Sequence, residues 1–357
     1  MQLLRMNHQL YMQRCLDLAK NGLREAMPNP SVGAVLVHNG RIIGEGFTSP
    51  FGGPHGEVNC VNSVKEEDKH LIPEATLYVS LEPCSHYGKT PPCCDLIIQQ
   101  QIHSIVVGTL DPNEKVAGNG MRKLQEAGRN VIVGILEKEC REFNRRFFTF
   151  HEKKRPYIIL KWAESADGFL SPDVHARPEN EKKPVWITNA YSRQLVHKWR
   201  TEEMAILVGT QTVLDDDPKL DARDWTGENP VRIVLDRNNR IVDTYSVKNQ
   251  KIKTIILTEK ADLINLENCL YEEITFNESL PNTIAKVLYD HSLQSVIIEG
   301  GRQTLQTFID SGFWDEARIF KGEIIFHEGT KAPVIHATLS ERQAIINDEL
   351  LIFRNYG

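Results

Sequence analysis

The chain has 357 residues, 41% of them hydrophobic and 25% charged, which excludes an intrinsically disordered protein and favours two domains. The formal net charge of −6 argues against a protein whose main affinity is for nucleic-acid backbones. Because no apolar run reaches bilayer length and no apolar signal-peptide core is seen, we expect a cytoplasmic protein without a membrane or nucleic-acid partner. The seven cysteines then favour thiols and metal ligands over disulfides.

The first half of the chain alternates helical and strand patterns. A helix that ends near Gly22 precedes a hairpin signal, two β-rich runs that flank Asn39-Gly40. A helix over residues 58–67 and a strand over residues 76–82 follow, and Cys93 is expected to open the next helix. The runs SIVVGTLD and VIVGILE predict two buried strands, with the helix MRKLQEAG between them. This alternation predicts a layered sheet with helices on both faces.

The stretch from His55 to Cys93 carries the strongest chemical signal. A His, a Glu two residues later and two Cys beyond a β-run form the pattern H-x-E…P-C…C, which is typical of zinc-dependent deaminases. A zinc ion that activates water usually has three protein ligands and one open position. We predict that His55, Cys84 and Cys93 are these ligands and that Glu57 transfers protons.

Two features of this stretch admit alternatives. Neighbouring helical residues point about 100° apart, so only one of Cys93 and Cys94 joins the site. We choose Cys93, because it follows two prolines as an early helix residue. The eight residues between Cys84 and Cys93 are either a solvated loop or a recognition element for a phosphorylated small molecule. Their Gly-Lys-Thr string is not a phosphate-binding loop, because Pro83 occupies the position of the first glycine.

A basic, mixed segment before Pro156 marks a domain boundary near Lys154. Beyond it, the strand-like runs PYIILKWAES, AILVG, VRIVLD, TIILT and SVIIEGG alternate with helical segments and predict a second α/β domain. This half has no G-x-G-x-x-G string, so a Rossmann dinucleotide site is not supported. Gly300-Gly301 after a buried strand is either a tight turn or a phosphate-binding helix start.

Together, the strings NPSVGAVLV, HGE and PCSHYGKTPPC resemble the deaminase half of the bifunctional riboflavin-biosynthesis deaminase/reductases. The resemblance implies a cytidine-deaminase-like three-layer αβα domain. It also implies zinc-dependent deamination of 2,5-diamino-6-ribosylamino-4(3H)-pyrimidinone 5′-phosphate, a phosphorylated pyrimidine ribotide, with Asn29, His86 and Lys89 as substrate contacts. Gly56 stands where this family commonly has Ala.

The second half resembles the reductase half of the same family, which is similar to the dihydrofolate reductase fold. The shared strings are Lys161 to Gly168, Trp186 to Thr188, Arg200, Thr212 to Pro218 and Glu299 to Gly301. The resemblance implies NADPH-dependent reduction of the ribosyl group to ribityl. We expect Lys161 and Glu299 to lie near the ribose as catalytic residues. It implies cofactor contacts from Ala163, Trp186, Thr212, Asp216, Gly300, Gly301, Arg302, Gln303, Thr304 and Leu305. It implies substrate contacts from Arg200, Leu220, Arg223 and Glu299.

Two segments depart from the family pattern. Residues 181–185 read EKKPV where a Ser-containing stretch is common, and Arg237 stands where a small hydroxyl residue is common. The first departure bears on substrate contacts. The second bears on cofactor preference, because a guanidinium can contact a 2′-phosphate.

We therefore predict a deaminase domain over residues 1–150 and a reductase domain over residues 151–357 in a homo-oligomeric, bifunctional hydrolase and oxidoreductase. One alternative is a nucleobase or tRNA deaminase with a non-catalytic, nucleotide-binding C-terminal domain. The acidic net charge and the insert between the cysteines disfavour it. The other is a non-catalytic binding module, which leaves the set Lys161, Asp167 and Glu299 unexplained.

Overall fold

The chain divides into two compact units, residues 1–154 and 155–357. The structure is a computed structural model that describes residues 2–88, 91–112, 117–173 and 185–356. Within these ranges, no helix combines the length and the apolar character needed to span a bilayer.

The N-terminal unit is built on one mixed sheet. Its described strands are β1 (Gly33–His38), β2 (Arg41–Phe47), β3 (Thr76–Leu81), β4 (Ser104–Thr109) and β5 (Asn130–Val133). Its described α-helices are α1 (Gln2–Ala19), α2 (Gly56–Asn62), α3 (Cys93–Gln99), α4 (Asn119–Glu126), α5 (Glu137–Phe143) and α6 (Arg145–Lys153). The strand order is β2-β1-β3-β4-β5, with β3, β4 and β5 parallel and β1 antiparallel to both neighbours.

Helices cover both faces of this sheet, as the sequence predicts. On one face, Met12 of α1 and Val35 of β1 belong to the same buried cluster. On the other face, α2, α3 and α4 bury Cys60, Ile97 and Leu124 in a second cluster. The unit is therefore the three-layer αβα domain of the cytidine-deaminase-like fold.

The hairpin predicted around Asn39-Gly40 is confirmed, whereas the predicted helix over residues 58–67 is only partly right. Asn39 and Gly40 have φ angles of 49° and 78°, the left-handed pair that a tight two-residue turn between strands requires. The helix predicted to reach residue 67 ends at Asn62. The reason is Ser63, whose hydroxyl donates to the Cys60 carbonyl and accepts from the Glu45 N–H, which ties the chain to β2.

Strand β5 also differs from the prediction of a buried strand. It lies at the edge of the sheet, where Ile132 and Val133 are 39% and 43% exposed. An apolar run shows that a segment forms a strand but does not show its place in the sheet.

The C-terminal unit contains a larger, mostly parallel sheet. Its described strands are β6 (Tyr157–Glu164), β7 (Phe169–Pro172), β8 (Ala205–Gly209), β9 (Val231–Leu235), β10 (Thr254–Thr258), β11 (Cys269–Glu273), β12 (Ser295–Ile298), β13 (Glu316–Lys321), β14 (Gly329–Lys331), β15 (Thr338–Ile345) and β16 (Asp348–Arg354). Its described α-helices are α7 (Ala190–Glu202), α8 (Thr210–Asp216), α9 (Leu280–Asp290) and α10 (Arg302–Asp310).

The strand order of the large sheet is β11-β10-β9-β8-β12-β6-β13-β16-β15, and β7 pairs with β14 separately. All neighbours from β11 to β13 are parallel, whereas β16 and β15 close the sheet as antiparallel strands. The carboxyl ends of β6, β8, β9 and β12 therefore lie at one edge of the sheet, where α/β folds bind ligands. The strands predicted from the runs in this half are confirmed, whereas β7, β11 and β13 to β16 are not among the predictions.

Candidate active sites

Three side chains from separate segments meet beside the carboxyl end of β3. His55 is the N-cap residue of α2, Cys84 follows β3, and Cys93 is the first residue of α3. His55 Nδ1 lies 3.5 Å from the Sγ atom of Cys84 and 3.4 Å from the Sγ atom of Cys93. All three atoms that could bind a metal lie within 4.8 Å of one another.

This donor set fits zinc. One imidazole and two thiols form a Cys2His set, and three protein ligands leave a fourth position for water or substrate. Hydrogen bonds from Cys93 and His55 lower the pKa of the Cys84 thiol to about 4, which favours the thiolate that metals bind. The backbone N–H of Cys93 also donates to Cys84 Sγ, at 3.3 Å.

Glu57 lies next to this set but is not part of it. It occupies the first turn of α2 and is only 3% exposed. Burial, and then the neighbouring Cys84, raise the pKa of its carboxyl group to about 6. The same group hydrogen-bonds with the Cys93 side chain. Glu57 is therefore in position to hold or release a proton beside the three donors.

Helix α2 packs closely against the backbone of the sheet, and this packing fixes the positions of His55 and Glu57. A Cβ atom at Gly46 of β2 would lie 2.3 Å from the backbone nitrogen of Cys60, so α2 can approach the sheet this closely only over a glycine. A Cβ atom at Gly56 would lie 2.5 Å from the Val32 carbonyl oxygen. Gly56, where the family commonly has Ala, therefore allows the start of α2 to pack closely against the segment before β1.

Cys94, the alternative ligand, is directed elsewhere. Its Sγ atom hydrogen-bonds to the carbonyl oxygens of Pro83 and Gly120, at 3.3 Å and 3.6 Å, and the residue is fully buried. Burial raises the pKa of this thiol far above that of a free cysteine. Cys94 is a packing residue, and Cys93 is the one that faces His55.

The predicted substrate contacts of the deaminase are spread over two loops. Asn29 is partly buried in the segment that leads into β1, where its N–H donates to the Ala26 carbonyl. His86 is exposed in the segment between the two cysteines. Lys89 lies outside the described residues.

In the C-terminal unit, a cavity of about 860 Å³ opens at the carboxyl ends of β6, β8, β9 and β12. Most residues predicted for the reductase line it: Lys161, Ala163, Trp186, Arg200, Thr212, Asp216, Leu220, Arg223, Glu299, Gly300, Gly301, Arg302, Gln303 and Thr304. Leu305 differs, because its side chain is fully buried in the hydrophobic core. Arg237 also lines the cavity and forms an ion pair with Glu259 at 2.7 Å, whereas residues 181–184 lie outside the described ranges.

A buried cluster of charges forms one part of the cavity wall. Lys161 Nζ lies 3.8 Å, and Arg200 Nη2 2.8 Å, from the Oε2 atom of Glu299. Burial by itself raises the pKa of Glu299, but the charges of Arg200 and Lys161 outweigh it and lower the pKa to about 2. Burial lowers the pKa of Lys161, and Glu299 partly opposes that shift. Glu299 is therefore a fixed anion between two cations.

Arg200 also holds the loop that carries two other predicted contacts. Its Nη1 atom donates to the Asp221 carbonyl at 3.0 Å, between Leu220 and Arg223. Leu220 adopts a φ of 51°, a left-handed conformation that is strained for leucine. Strained backbone of this kind is commonly found at functional sites, and the hydrogen bond from Arg200 stabilises it here.

The sequence does not single out Arg193 and Arg240, which also line the cavity. The guanidinium carbon of Arg193 lies 4.7 Å from the centre of the Trp186 ring, in cation–π geometry. Arg193, His197 and Arg200 all line the cavity. They are four and then three residues apart on α7, so they lie on the same face of the helix. That spacing is visible in the sequence, but it is equally typical of a solvated basic face.

Asp167 is not among the residues that line the cavity. Its carboxylate accepts hydrogen bonds from the Ser165 hydroxyl and from the backbone N–H groups of Phe326 and His327. The interpretation that grouped Asp167 with Lys161 and Glu299 is wrong in this respect. The residue stabilises a turn.

Comparisons with known proteins match both halves of the chain. Residues 5–109 match the cytidine and deoxycytidylate deaminase zinc-binding region, and residues 156–337 match the RibD C-terminal domain. The chain is 41% identical over 325 residues to the riboflavin biosynthesis protein RibD of Aquifex aeolicus, with 89% of this chain and 88% of that protein covered. It is 38% identical over 312 residues to RibD of Actinobacillus pleuropneumoniae, with 85% and 80% covered.

Two solved structures are similar to this chain over nearly its full length. A Thermotoga maritima diaminohydroxyphosphoribosylaminopyrimidine deaminase/5-amino-6-(5-phosphoribosylamino)uracil reductase has a TM-score of 0.87 at 35% identity, with 98% of this chain and 99% of that chain covered. Acinetobacter baumannii RibD, form 1, has a TM-score of 0.86 at 29% identity, with 99% and 100% covered.

The two folds and the two sites define a bifunctional enzyme, a zinc-dependent deaminase joined to an NADPH-dependent reductase. The chain belongs to the RibD family of riboflavin-biosynthesis enzymes. Because both halves match this family, the alternatives of a nucleobase or tRNA deaminase and of a non-catalytic module are set aside.

Proposed function

We propose that the N-terminal unit deaminates 2,5-diamino-6-ribosylamino-4(3H)-pyrimidinone 5′-phosphate. The C-terminal unit then reduces the ribosyl group to ribityl and gives 5-amino-6-ribitylaminouracil 5′-phosphate. The observation that carries this proposal is the presence in one chain of the His55, Cys84 and Cys93 set beside Glu57 and of a cavity around Lys161 and Glu299. The Thermotoga maritima neighbour, which combines a deaminase and a reductase for such pyrimidines, supports it.

In the deaminase site, we assign His55, Cys84 and Cys93 as the zinc ligands. Zinc, when bound, activates a water molecule for attack on the ring carbon that carries the amino group. Glu57 accepts the water proton on its carboxylate, delivers it to a ring nitrogen and assists the departure of ammonia. Its contact with Cys93 keeps the carboxylate beside the metal position.

The polar loops around this site select the substrate. Asn29 and His86 contact the pyrimidine ribotide, and Lys89 supplies a cation for its phosphate. The exposed position of His86 in the segment that follows Cys84 supports this role, because its imidazole is accessible to a polar substrate.

In the reductase site, NADPH held along the cavity would supply a hydride for the anomeric carbon of the ribosyl group. The bond from that carbon to the ring oxygen breaks, and Lys161 Nζ donates a proton to the oxygen. Glu299 orients Lys161 and, with Arg200, Leu220 and Arg223, binds the substrate. The separation of 3.8 Å between Lys161 Nζ and the Glu299 carboxylate supports this pairing.

The residues that suit NADPH lie along the same cavity. The N-cap residue of α10, Gly301, offers no side-chain cap, so the first N–H groups of this helix are available to phosphate oxygens. A Cβ atom at Gly300 would lie 3.0 Å from Thr304 Cβ, so glycine keeps the turn compact. Ala163, Trp186, Thr212 and Asp216, with residues 300–304, form the proposed cofactor contacts, whereas buried Leu305 supports the helix from the core side.

The test supplies the purified enzyme with the diaminopyrimidine ribotide and NADPH and analyses the products by mass spectrometry. We expect the ribityl product, with one ammonia released for each NADPH oxidised. Free cytosine and a tRNA serve as matched alternative substrates and should release no ammonia. Deamination of either one at a rate comparable to that of the ribotide would contradict the proposed substrate.

We further propose a homo-oligomer that works in the cytoplasm. Strand β15 is exposed along most of its length at the edge of the large sheet, which leaves its backbone groups available for a second copy. None of the seven cysteines is in a disulfide, which suits a reducing compartment. Light scattering on the purified chain would test the assembly, and a single-chain mass would contradict it.

A further inference from the structure

Glu82, just before Cys84, is a buried acidic residue that neither reaction uses. It is 4% exposed. Its carboxylate accepts four hydrogen bonds from described residues, all of them from backbone N–H groups. The donors are Asp111 (3.1 Å) and Gly118 (3.0 Å) to Oε2, and Gly120 (3.0 Å) and Met121 (3.4 Å) to Oε1.

These hydrogen bonds make Glu82, which follows β3 directly, a cap for a helix that is distant in the sequence. Gly118, the N-cap residue of α4, provides no side-chain cap. The first N–H groups of a helix need acceptors, and an anion is stabilised at this end of a helix. A buried carboxylate is stable only when it is fully hydrogen-bonded, so Glu82 and the start of α4 depend on each other.

The start of α4 in turn packs against the peptide that carries Cys84. A Cβ atom at Gly120 would lie 2.2 Å from the Pro83 carbonyl oxygen. That oxygen also accepts a hydrogen bond from Cys94 Sγ, and the Cys94 N–H donates to the Cys84 carbonyl at 3.1 Å. The segment from Pro83 to Cys84 is thus enclosed by the starts of α3 and α4.

We propose that Glu82 is a positioning residue for the metal site. By anchoring the start of α4 against the segment from Pro83 to Cys84, it fixes Cys84 Sγ with respect to His55 and Cys93. This inference rests on the proposed function only in taking Cys84 as a zinc ligand. Replacing Glu82 by Gln puts an NH2 group opposite backbone N–H donors, so the hydrogen bonds to one of the two side-chain oxygens are lost. The start of α4 is then no longer anchored against Pro83, and the position of Cys84 Sγ is less well fixed.

The test compares the full-length chain with its Glu82→Gln variant and with Leu124→Val, a change in the buried side of α4 that leaves the Glu82 carboxylate untouched. Zinc affinity is measured by competition with a chromophoric chelator, and ligand geometry by the visible absorption of the Co²⁺-loaded chain. NADPH oxidation with ready-deaminated substrate reports on the C-terminal unit.

For Glu82→Gln we expect zinc affinity reduced about 10–100-fold and altered Co²⁺ bands, with NADPH oxidation unchanged. Leu124→Val should lower the unfolding midpoint but keep the zinc affinity and the Co²⁺ bands of the parent chain. The inference is overturned if Glu82→Gln binds zinc within about twofold of the parent with the same bands, or if Leu124→Val weakens zinc equally.

The comparison distinguishes a failure of the zinc ligand set from a failure of the role of Glu82. A parent chain that binds no zinc refutes the proposed ligand set itself, whereas a parent that binds zinc as tightly as Glu82→Gln refutes only the role of Glu82. If the Gln variant does not fold, Glu82→Asp replaces it, because it keeps both oxygens on a shorter arm. The Asp variant should bind zinc more weakly than the parent, and unaltered affinity overturns the inference.

Discussion

The guanidinium of Arg200 donates hydrogen bonds to the carboxylate of Glu299, at 2.8 Å through Nη2 and 3.4 Å through Nε. Arg200 lies on α7, and Glu299 follows β12 at the carboxyl edge of the sheet. The pair fixes an anion beside Lys161 in the cavity of the C-terminal unit. A fixed anion of this kind is what a buried ammonium group requires if it is to stay in place and donate a proton.

Acid unfolding should reveal this pair. The pKa of Glu299 is about 2 in the folded chain, below its ordinary value of 4.5. Ionised Glu299 therefore contributes stability that is fully present above about pH 4.5 and is lost as the pH falls towards about 2. The shift corresponds to about 3 kcal/mol, and Glu299→Gln should lack this part of the pH dependence.

Tryptophan fluorescence during urea unfolding measures this effect in one unit alone, because all five tryptophans lie in the C-terminal unit. The parent chain and Glu299→Gln are compared at about pH 5 and pH 3. Equal slopes of stability against pH in the two chains would show that the Glu299 carboxylate is not stabilised by Arg200 and Lys161.

Lys161→Met should abolish reduction without abolishing cofactor binding. The variant keeps much of the side-chain volume but has no proton to donate, so we expect kcat for NADPH oxidation to fall by about 10²–10⁴-fold. NADPH affinity, followed by cofactor fluorescence, should change little. Lys286→Met, on the exposed side of α9, is the matched control. A variant that retains near-parental kcat would rule out Lys161 as the proton donor.

Glu57→Gln should separate metal binding from chemistry. The amide has nearly the same shape as the carboxyl group but cannot accept and return a proton, so ammonia release should fall by about 10²–10⁴-fold. Zinc content, measured by atomic emission, and NADPH oxidation with deaminated substrate should stay at parental levels. Undiminished ammonia release from this variant would contradict the role assigned to Glu57.

The adjacent cysteines should behave differently. Cys93→Ala removes a thiol that faces His55, so the chain should lose zinc and ammonia release together. Cys94→Ala removes a fully buried thiol together with its two hydrogen bonds, so the free energy of unfolding should fall by about 1–2 kcal/mol. This variant should still bind zinc. Thermal unfolding and zinc content are measured for both variants. Loss of zinc from Cys94→Ala, with zinc retained by Cys93→Ala, would reverse the assignment of the ligand.

The part of the fold that the sequence predicts is the part encoded by short segments. Asn39-Gly40 specifies its own turn, and the pattern from His55 to Cys93 places each ligand at the end of a strand or the start of a helix. Features that depend on distant segments are not visible in this way. Glu82 caps a helix whose first residue is 37 positions later in the sequence numbering, from 82 to 119, and nothing near Glu82 indicates this.

The same limit explains the errors. The apolar run that forms β5 does not reveal that β5 is an edge strand, because the edge is set by which strands pair beyond it. Asp167 lies in a string shared with the reductase family, yet its oxygens are occupied by N–H groups from residues 326 and 327. A motif identifies a segment, whereas the direction of each side chain depends on the segments packed around it.

One chain carries two separate sites, and only the deaminase site needs zinc. The most direct measurement follows ammonia release and NADPH absorbance together in the full-length chain, before and after treatment with a zinc chelator. We predict that chelation stops ammonia release from the diaminopyrimidine ribotide, while NADPH oxidation with ready-deaminated substrate continues at the untreated rate. Ammonia release that persists after complete zinc removal would contradict the zinc site, and an untreated chain that oxidises no NADPH would contradict the reductase site.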